Sequence, residues 1–339
     1  MMSFRLFVLF SAIAFALLAP IPSTAQGWIP PSTPDGHPDL QGTWINRSAT
    51  PLERPKQLEG RQFLTDQEVG ELKQRAKRIF KSGNNADVPN GDDFFLAALG
   101  NIEHYKRASA TGNSDNILDL EFDNRTSLIV DPPDGRIPPY TSAGEQRRRA
   151  GAAAAAMASA PGGPQDLTPV QRCITWGIPM PRPGPFTSYY QIIQSPGYVV
   201  IYLEAIHDAR IIPLDGRAHA PGNVRAWNGD SIGHWEGQTL VVDTTNFSPK
   251  DNFMGSAENL HLVERFSRVA ADEIRYEMTV DDPTTWTKPW TAVLRLKASQ
   301  DKLYEFACHE GNLQIMETML SGPRGNERYA EEAAPKPVK

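Results

Sequence analysis

Seven ionisable side chains, Glu204, His207, Asp208, Arg210, Asp215, Arg217 and His219, crowd into the fifteen or so residues after one apolar run. An imidazole takes up and returns a proton near neutral pH, a carboxylate orients its ring, and a guanidinium stabilises a developing oxyanion. A second group stands at His309 and Glu310, directly after Cys308, and Arg172 directly precedes Cys173. The acid-base set read from these types and positions is His207, His309, Asp208, Arg210, Glu310 and Arg172. The same side chains would also serve as hydrogen-bonded structure beside turns.

Glu204-x-x-His207-Asp208 begins like a zinc-protease motif, but that motif needs two histidines four apart on a helix, and this segment has the pattern of a strand. On a strand Glu204 and His207 point to opposite faces, so their convergence requires a bend at Ala205 or Ile206. No cofactor is expected, with a divalent metal on His207, His219, His261 and His309 as the alternative. Asp281-Asp282 and the segment Asp243-Thr244-Thr245-Asn246 offer oxygen ligands, without the spacing of the twelve-residue calcium loop. No Gly-x-Gly-x-x-Gly turn is present, which disfavours nicotinamide chemistry.

The elements that must position these groups are strands. Val199 to Leu203 is an unbroken apolar run rich in β-branched residues, as in a buried strand. Further strands are expected at 125–130, 171–176, 189–194, 209–214, 239–244, 260–269, 273–280, 291–296 and 302–308, mostly with short connections carrying Pro, Gly, Asn or Asp. Ile274, Tyr276, Met278 and Val280 share one face, and Arg275, Glu277, Thr279 and Asp281 the other. Between Leu262 and Arg268 this separation fails, as a polar-lined interior or an exposed strand would require. So many antiparallel strands have an edge problem unless the sheet closes. The expected fold is therefore all-β, a lipocalin-like or related closed β-barrel with an N-terminal helical segment. Tyr190, Tyr202, Trp227, Trp286 and Trp290 are the rings expected to line a ligand pocket.

That helical segment is predicted over 66–81, where Thr65 and Glu68 form a capping box and Leu64 and Val69 a hydrophobic staple. Residues 82–93 have loop composition, and 94–99 is too short to classify. Residues 144–164 are rich in Arg, Ala, Gly and Pro; alanine favours helix, but the segment has little apolar surface to anchor it, so it reads as an excursion. The domain reading is a signal peptide at 1–25, an N-terminal part of the β-rich domain at 26–143, the excursion at 144–164, an antiparallel meander at 165–322 and a tail at 323–339.

Arg5, the apolar run from Leu6 to Leu18 and the small residues Ser23 to Ala25 have the pattern of an export signal. The run is shorter than the ~20 residues needed to span a bilayer, so no integral membrane segment is expected after cleavage, and the protein is expected to be periplasmic or secreted. Beyond residue 25 the chain holds 33 Lys and Arg against 40 Asp and Glu, a balance that argues against nucleic acid as a partner. Two cysteines in an exported chain are expected to pair, Cys173 with Cys308.

The segments PDLQGTW, IHDARIIPLDGR, LVVDTTNF, DDPTTWTKPW and YEFACHEGN, within a stretch from about Pro38 to Asn312, resemble a largely uncharacterised family of exported bacterial proteins. The resemblance implies export and carries neither a reaction nor catalytic residues. Gly42-Thr43-Trp44 also resembles the opening of lipocalin-like barrels, which implies a fold and no function. Two functions follow as expectations: a cofactor-independent acid-base enzyme (lyase, isomerase or hydrolase) acting on a small organic substrate in a barrel cavity, or a lipocalin-like binder of an apolar or aromatic molecule.

Overall fold

The computed structural model describes residues 28–81, 92–100, 120–157, 161, 163–181, 183, 187–250 and 253–333. The expected signal peptide at 1–25 and most of the expected loop at 82–93 lie outside the described residues.

The core is a nearly closed antiparallel barrel. Its strands are β1 (Gly42–Asn46), β2 (Ile129–Asp131), β3 (Tyr189–Ser195), β4 (Tyr198–Leu203), β5 (Ala209–Pro213), β6 (Asp230–Glu236), β7 (Thr239–Thr245), β8 (His261–Ala270), β9 (Glu273–Asp281) and β10 (Trp290–Ser299). The helices are α1 (Asp66–Lys81), α2 (Asp92–Leu99), α3 (Ser142–Met157) and α4 (Asn312–Ala333). Hydrogen-bonded neighbours run β5-β4-β3-β1-β10-β9-β8-β7-β6, and β2 pairs the start of β10 beside β1's position further along. Apart from β2, this is the sequence order around a ring, with the first strand bonded to the last.

All eight ladders on that path are antiparallel. Eight reversals leave β5 and β6 pointing the same way. A ring of nine strands cannot be antiparallel throughout, so one neighbouring pair must run parallel, and a parallel pair needs a long return connection. Here the misfit falls between β5 and β6. They share no ladder, and sixteen residues, 214–229, carry the chain back between them.

The barrel is filled by side chains. Leu240, Val242, Leu262, Phe266, Ile274, Tyr276, Met278, Val280, Leu294 and Leu296 point inward with Trp44, Trp286 and Trp290. Each fully buried aliphatic or aromatic side chain contributes about 1.5–3 kcal/mol. The expected alternation on β9 holds, since Ile274, Tyr276, Met278 and Val280 are all buried. Trp44 lies under the Arg268 guanidinium, 5.3 Å from the ring centroid, and its Nε1–H donates to the Leu40 carbonyl. A smaller second core gathers Leu64, Val69, Leu72, Ala76, Phe94, Phe95 and Phe122 around α1 and α2.

Helix α1 has its expected bounds, and the capping box is formed: the Glu68 backbone N–H donates to Thr65 Oγ1 and the Thr65 N–H to Glu68 Oε2. Several expectations need correction. Residues 171–176 form a turn, with Cys173 in the left-handed region at φ 54°, and 302–308 is irregular apart from its final turn. Of the expected 125–130 strand only Ile129 and Val130 belong to a ladder strand, β2, which ends at Asp131. Strand β6 leaves little signal in the sequence, because Asp230, Gly233 and His234 dilute its apolar alternation. The alanine-rich excursion begins as helix α3, which its own propensity favours and which Arg147 anchors through the carbonyls of Gly255 and Thr284. The tail boundary at 323 falls inside α4.

Cys173 and Cys308 are joined as expected, with Cα atoms 5.7 Å apart. No helix of the described residues is long and apolar enough to cross a membrane.

Candidate functional site

The unpaired seam between β5 and β6 is closed at one end and splayed at the other. A Cβ at Gly233 would lie 2.8 Å from Ile212 Cγ2 and 2.9 Å from Leu214 Cδ2, so the absence of a side chain there lets β6 press against β5. A cleft of about 470 Å³ runs along β5 and reaches the start of β6, lined by Thr175, Asp208, Arg210, Trp227, Asn228 and Asp230 among others. A second, smaller cavity of about 100 Å³ shares Trp227 and is walled by Trp176, Ile178, Phe247, Phe253 and Leu260.

Arg210 forms the inner wall of the cleft. It is the inward residue between Ala209 and Ile211, and its guanidinium meets the Glu264 carboxylate at two points, Nη1 to Oε1 at 3.1 Å and Nη2 to Oε2 at 2.6 Å. Nη2 also donates to Ser231 Oγ and Thr244 Oγ1, so side-chain bonds cross the seam where backbone bonds do not. Tyr276 completes the network by donating to Glu264 Oε1 at 2.6 Å. The Arg210 and Glu264 side chains are only 6% and 2% exposed. Burial works against the Arg210 charge and the facing Glu264 more than offsets it, so its pKa is raised; burial pushes the Tyr276 phenol well above its ordinary range. Glu264 explains the broken alternation on β8, because it faces the barrel interior between Leu262 and Phe266. The Nε of Arg210 is buried and has no hydrogen-bond partner among the described residues.

Asp208 also lines the cleft. The chain reaches it through a 3-10 turn, Ala205–His207, in which Ile206 and His207 have φ of 56° and 43°. Left-handed backbone is costly for a β-branched residue, and such strain persists only where the surroundings enforce it. Asp208 Oδ2 accepts from Thr175 Oγ1 at 2.7 Å and from Asn228 Nδ2 at 2.5 Å, and Thr175 is itself fixed by the Gly177 N–H. Oδ1 accepts no hydrogen bond among the described residues. All five non-glycine residues with positive φ among the described residues, Cys173, Ile206, His207, Asn246 and Met254, lie within two residues of one that lines one of the two cavities.

The bend that the sequence required at Ala205 and Ile206 is present, but it turns His207 outward. His207 and His309 are neighbours, with ring centroids 6.3 Å apart, and His207 Nδ1 contacts the Phe306 carbonyl. Both rings are exposed and neither lines the two cavities. Glu310 is exposed. The Arg172 guanidinium lies 5.9 Å from the centroid of the Trp227 ring, at the edge of the cleft. Glu204 is buried at the end of β4, where burial raises its carboxyl pKa.

Among the five expected aromatic residues, Trp227 lines the cleft. Trp286, in the connection between β9 and β10, and Trp290, at the start of β10, are enclosed in the barrel core, edge to face at 5.9 Å, and line neither cavity. Tyr190 is buried with its hydroxyl on the Met180 carbonyl, and Tyr202 faces outward, half-buried.

The four histidines named as metal ligands do not meet. They fall into two pairs, His207 with His309 and His219 with His261, and the second pair is bridged by Asp243: His219 Nε2 lies 3.0 Å from Oδ1 and His261 Nε2 lies 2.9 Å from Oδ2. Among the described residues no group of three or more His, Cys, Asp and Glu has the geometry to hold a metal ion. Asp282 is occupied by Ser256, Thr284 and Thr285, as a turn cap. Sequence reasoning missed Thr175, Asn228, Ser231, Asp230 and Glu264. Only Glu264 left a signal, as a carboxylate on the apolar face of its strand.

Fold and site together define the class: an antiparallel barrel, nearly closed, with a polar cleft in its one unbonded seam. No family model, no curated protein and no solved structure matches the chain.

Proposed function

We propose that the protein is an exported enzyme, periplasmic or secreted, that performs acid-base chemistry of lyase, isomerase or hydrolase type on a small polar organic molecule in the seam cleft. It needs no organic cofactor for this. The observation that carries the reading is the divided carboxylate of Asp208: Oδ2 is fixed by Thr175 and Asn228, while Oδ1 accepts no hydrogen bond among the described residues, in a cleft whose inner wall is Arg210. A base must be held in place with one oxygen left for the substrate proton, and negative charge that then develops on the substrate is favoured beside a buried guanidinium. Trp227 offers a flat wall for the carbon skeleton.

The packed interior argues against carriage of a ligand within the barrel. A second reading, binding without turnover, draws on the smaller cavity, whose Trp176, Trp227, Phe247 and Phe253 suit an aromatic or apolar group.

Purified protein incubated with a panel of small hydroxy, keto and aromatic acids and analysed by mass spectrometry separates the two. Loss of turnover by about 100-fold to 10,000-fold in Asp208→Asn is the expected result for a general base. Equal turnover in that variant would reject Asp208 as the base, and ligand binding without conversion of any compound would favour the second reading.

A further inference from the structure

The seam leaves two strand edges without a partner. Between β4 and β5 the Leu203 N–H donates to the Asp208 carbonyl and the Leu214 N–H to that of Gly197, and both pairs continue the register of the ladder. Bonded pairs alternate with unbonded ones in an antiparallel ladder, so Arg210 and Ile212 also turn their backbone groups to β4. Ala209, Ile211 and Pro213 therefore turn theirs to the seam. The N–H and C=O of Ala209 and Ile211 make no hydrogen bond among the described residues. Pro213 has no N–H to offer, and an edge is where a sheet tolerates proline.

Apolar side chains lead up to this edge on the outer face. Ile193, Val200 and Ile211 are register neighbours across β3, β4 and β5, and Ile193 and Ile211 are 44% and 64% exposed. An open edge flanked by exposed apolar side chains is a template for pairing with another chain. Ala209 and Ile211 line the cleft, with Gly229 and Ser231 on the β6 side.

The strand count fixes what completes the ring. Strands β5 and β6 run the same way, so one strand added between them, antiparallel to both, makes ten, and a ring of ten is antiparallel throughout. Gly233, pressed against Ile212 and Leu214, blocks the far end. The insert is restricted to about three residues, at ~3.3 Å each, beside Ile211, Arg210 and Ala209.

Its side chains are set by the walls. Running against β5, the first residue faces outward beside Ile211 and extends the apolar row, which suits a β-branched side chain. The second faces inward to Arg210, whose buried Nε has no hydrogen-bond partner among the described residues, and suits a small acceptor such as serine. The third faces outward beside Ala209, with Asp230 across the gap. Asp230 Oδ2 accepts the Ala220 N–H and meets His219 Nδ1, while Oδ1 accepts no hydrogen bond among the described residues. The guanidinium of Arg217, also in the cleft wall, is paired with Asp215. A lysine or arginine on the insert complements Asp230.

We infer that the seam binds a short extended polypeptide segment by strand addition, with the order β-branched, small polar, basic from its N-terminal side. This goes beyond the acid-base reading and does not depend on whether Asp208 acts on what is bound.

The probe is a pool of labelled synthetic peptides fixed as Val-Ser-Lys and randomised on either side, titrated with the full chain and read by fluorescence polarisation. A pool fixed as Lys-Ser-Val is its control. Saturable binding is expected, tighter by about 10-fold for the first pool. Methylating the Val and Lys backbone nitrogens keeps every side chain and removes the N–H groups that face Ile211 and Ala209, so affinity is expected to fall by about 10-fold. Ile211→Pro removes a seam-facing N–H and should weaken binding more than Ile211→Ala, which keeps it; should Ile211→Pro fail to fold, the methylated peptides carry the test. Asp230→Asn is expected to weaken the Lys peptides and to leave norleucine counterparts unchanged. Absence of binding, or equal binding by both pools or by the methylated peptides, overturns the inference. So does a dimer of the peptide-free protein that Ile211→Pro dissolves, because a second copy is then the occupant. None of these outcomes bears on the acid-base reading, which is decided by turnover in Asp208→Asn.

Discussion

At the scale of single residues, the most consequential contact is Arg210 with Glu264, an ion pair inside a barrel otherwise filled with apolar side chains. Desolvating two charges is expensive, and their attraction repays it only because Ser231, Thr244 and Tyr276 satisfy further donors and acceptors. Removing one partner leaves the other charge buried and alone. Glu264→Gln is therefore expected to cost about 3–5 kcal/mol in urea denaturation. Replacing both together, as Arg210→Met with Glu264→Leu, should cost less than that single change. A loss below about 1 kcal/mol in Glu264→Gln would mean that the pair is solvated and that the inner wall of the cleft is not as described. Asp208 and Asp230 make the complementary point. In each, Oδ2 is tied and Oδ1 accepts no hydrogen bond among the described residues.

At the scale of elements, helix α3 shows how a sequence with little apolar surface is nonetheless anchored. Its first turn is pressed against the 282–285 turn: a Cβ at Gly144 would sit 2.3 Å from the Thr285 carbonyl oxygen and 2.8 Å from its Cα. Backbone cannot yield as a flexible side chain can, so Gly144→Ala is expected to lower stability by about 1–3 kcal/mol, the usual cost of overpacking. Arg147 adds bonds to the Gly255 and Thr284 carbonyls and to Thr285 Oγ1. Arg149, by contrast, is 75% exposed at its side chain. Replacing 150–164 with a Gly-Ser linker should therefore leave the melting temperature within a few degrees, while extending the replacement back to 145 should not. Thermal unfolding of the three variants checks this, and equal loss in both linker variants would show that the later part of the helix is packed as well.

At the scale of the whole molecule, the odd strand number decides where the cleft lies, and the disulfide decides what borders it. Cys173 and Cys308 are 135 residues apart in sequence. Closing so long a loop is worth roughly 5 kcal/mol in the chain-entropy model. Cys173→Ser with Cys308→Ser is expected to lose up to that amount and to free the 302–311 segment, separating His309 from His207, while the far-ultraviolet circular dichroism of the barrel persists. Non-reducing peptide mapping of the purified protein should recover the linked pair, and two alkylatable thiols would contradict it. The sequence by itself determined the all-β class, the bounds of α1, most of the barrel strands and the cysteine pairing, because periodicity, capping and turn chemistry act over a few residues and two cysteines allow one intramolecular pairing. It placed Asp208 and Arg210 at the candidate site because both follow the end of one strand. Their partners came from far along the chain: Thr175 from a turn, Asn228 and His219 from the return connection, Glu264 from β8 and Asp243 from β7. Only the tertiary structure could decide those contacts, and with them the outward turn of His207 and the burial of Trp286 and Trp290. The reason is that strand direction around a ring of nine is a global constraint, and no local pattern records which neighbouring pair must run parallel.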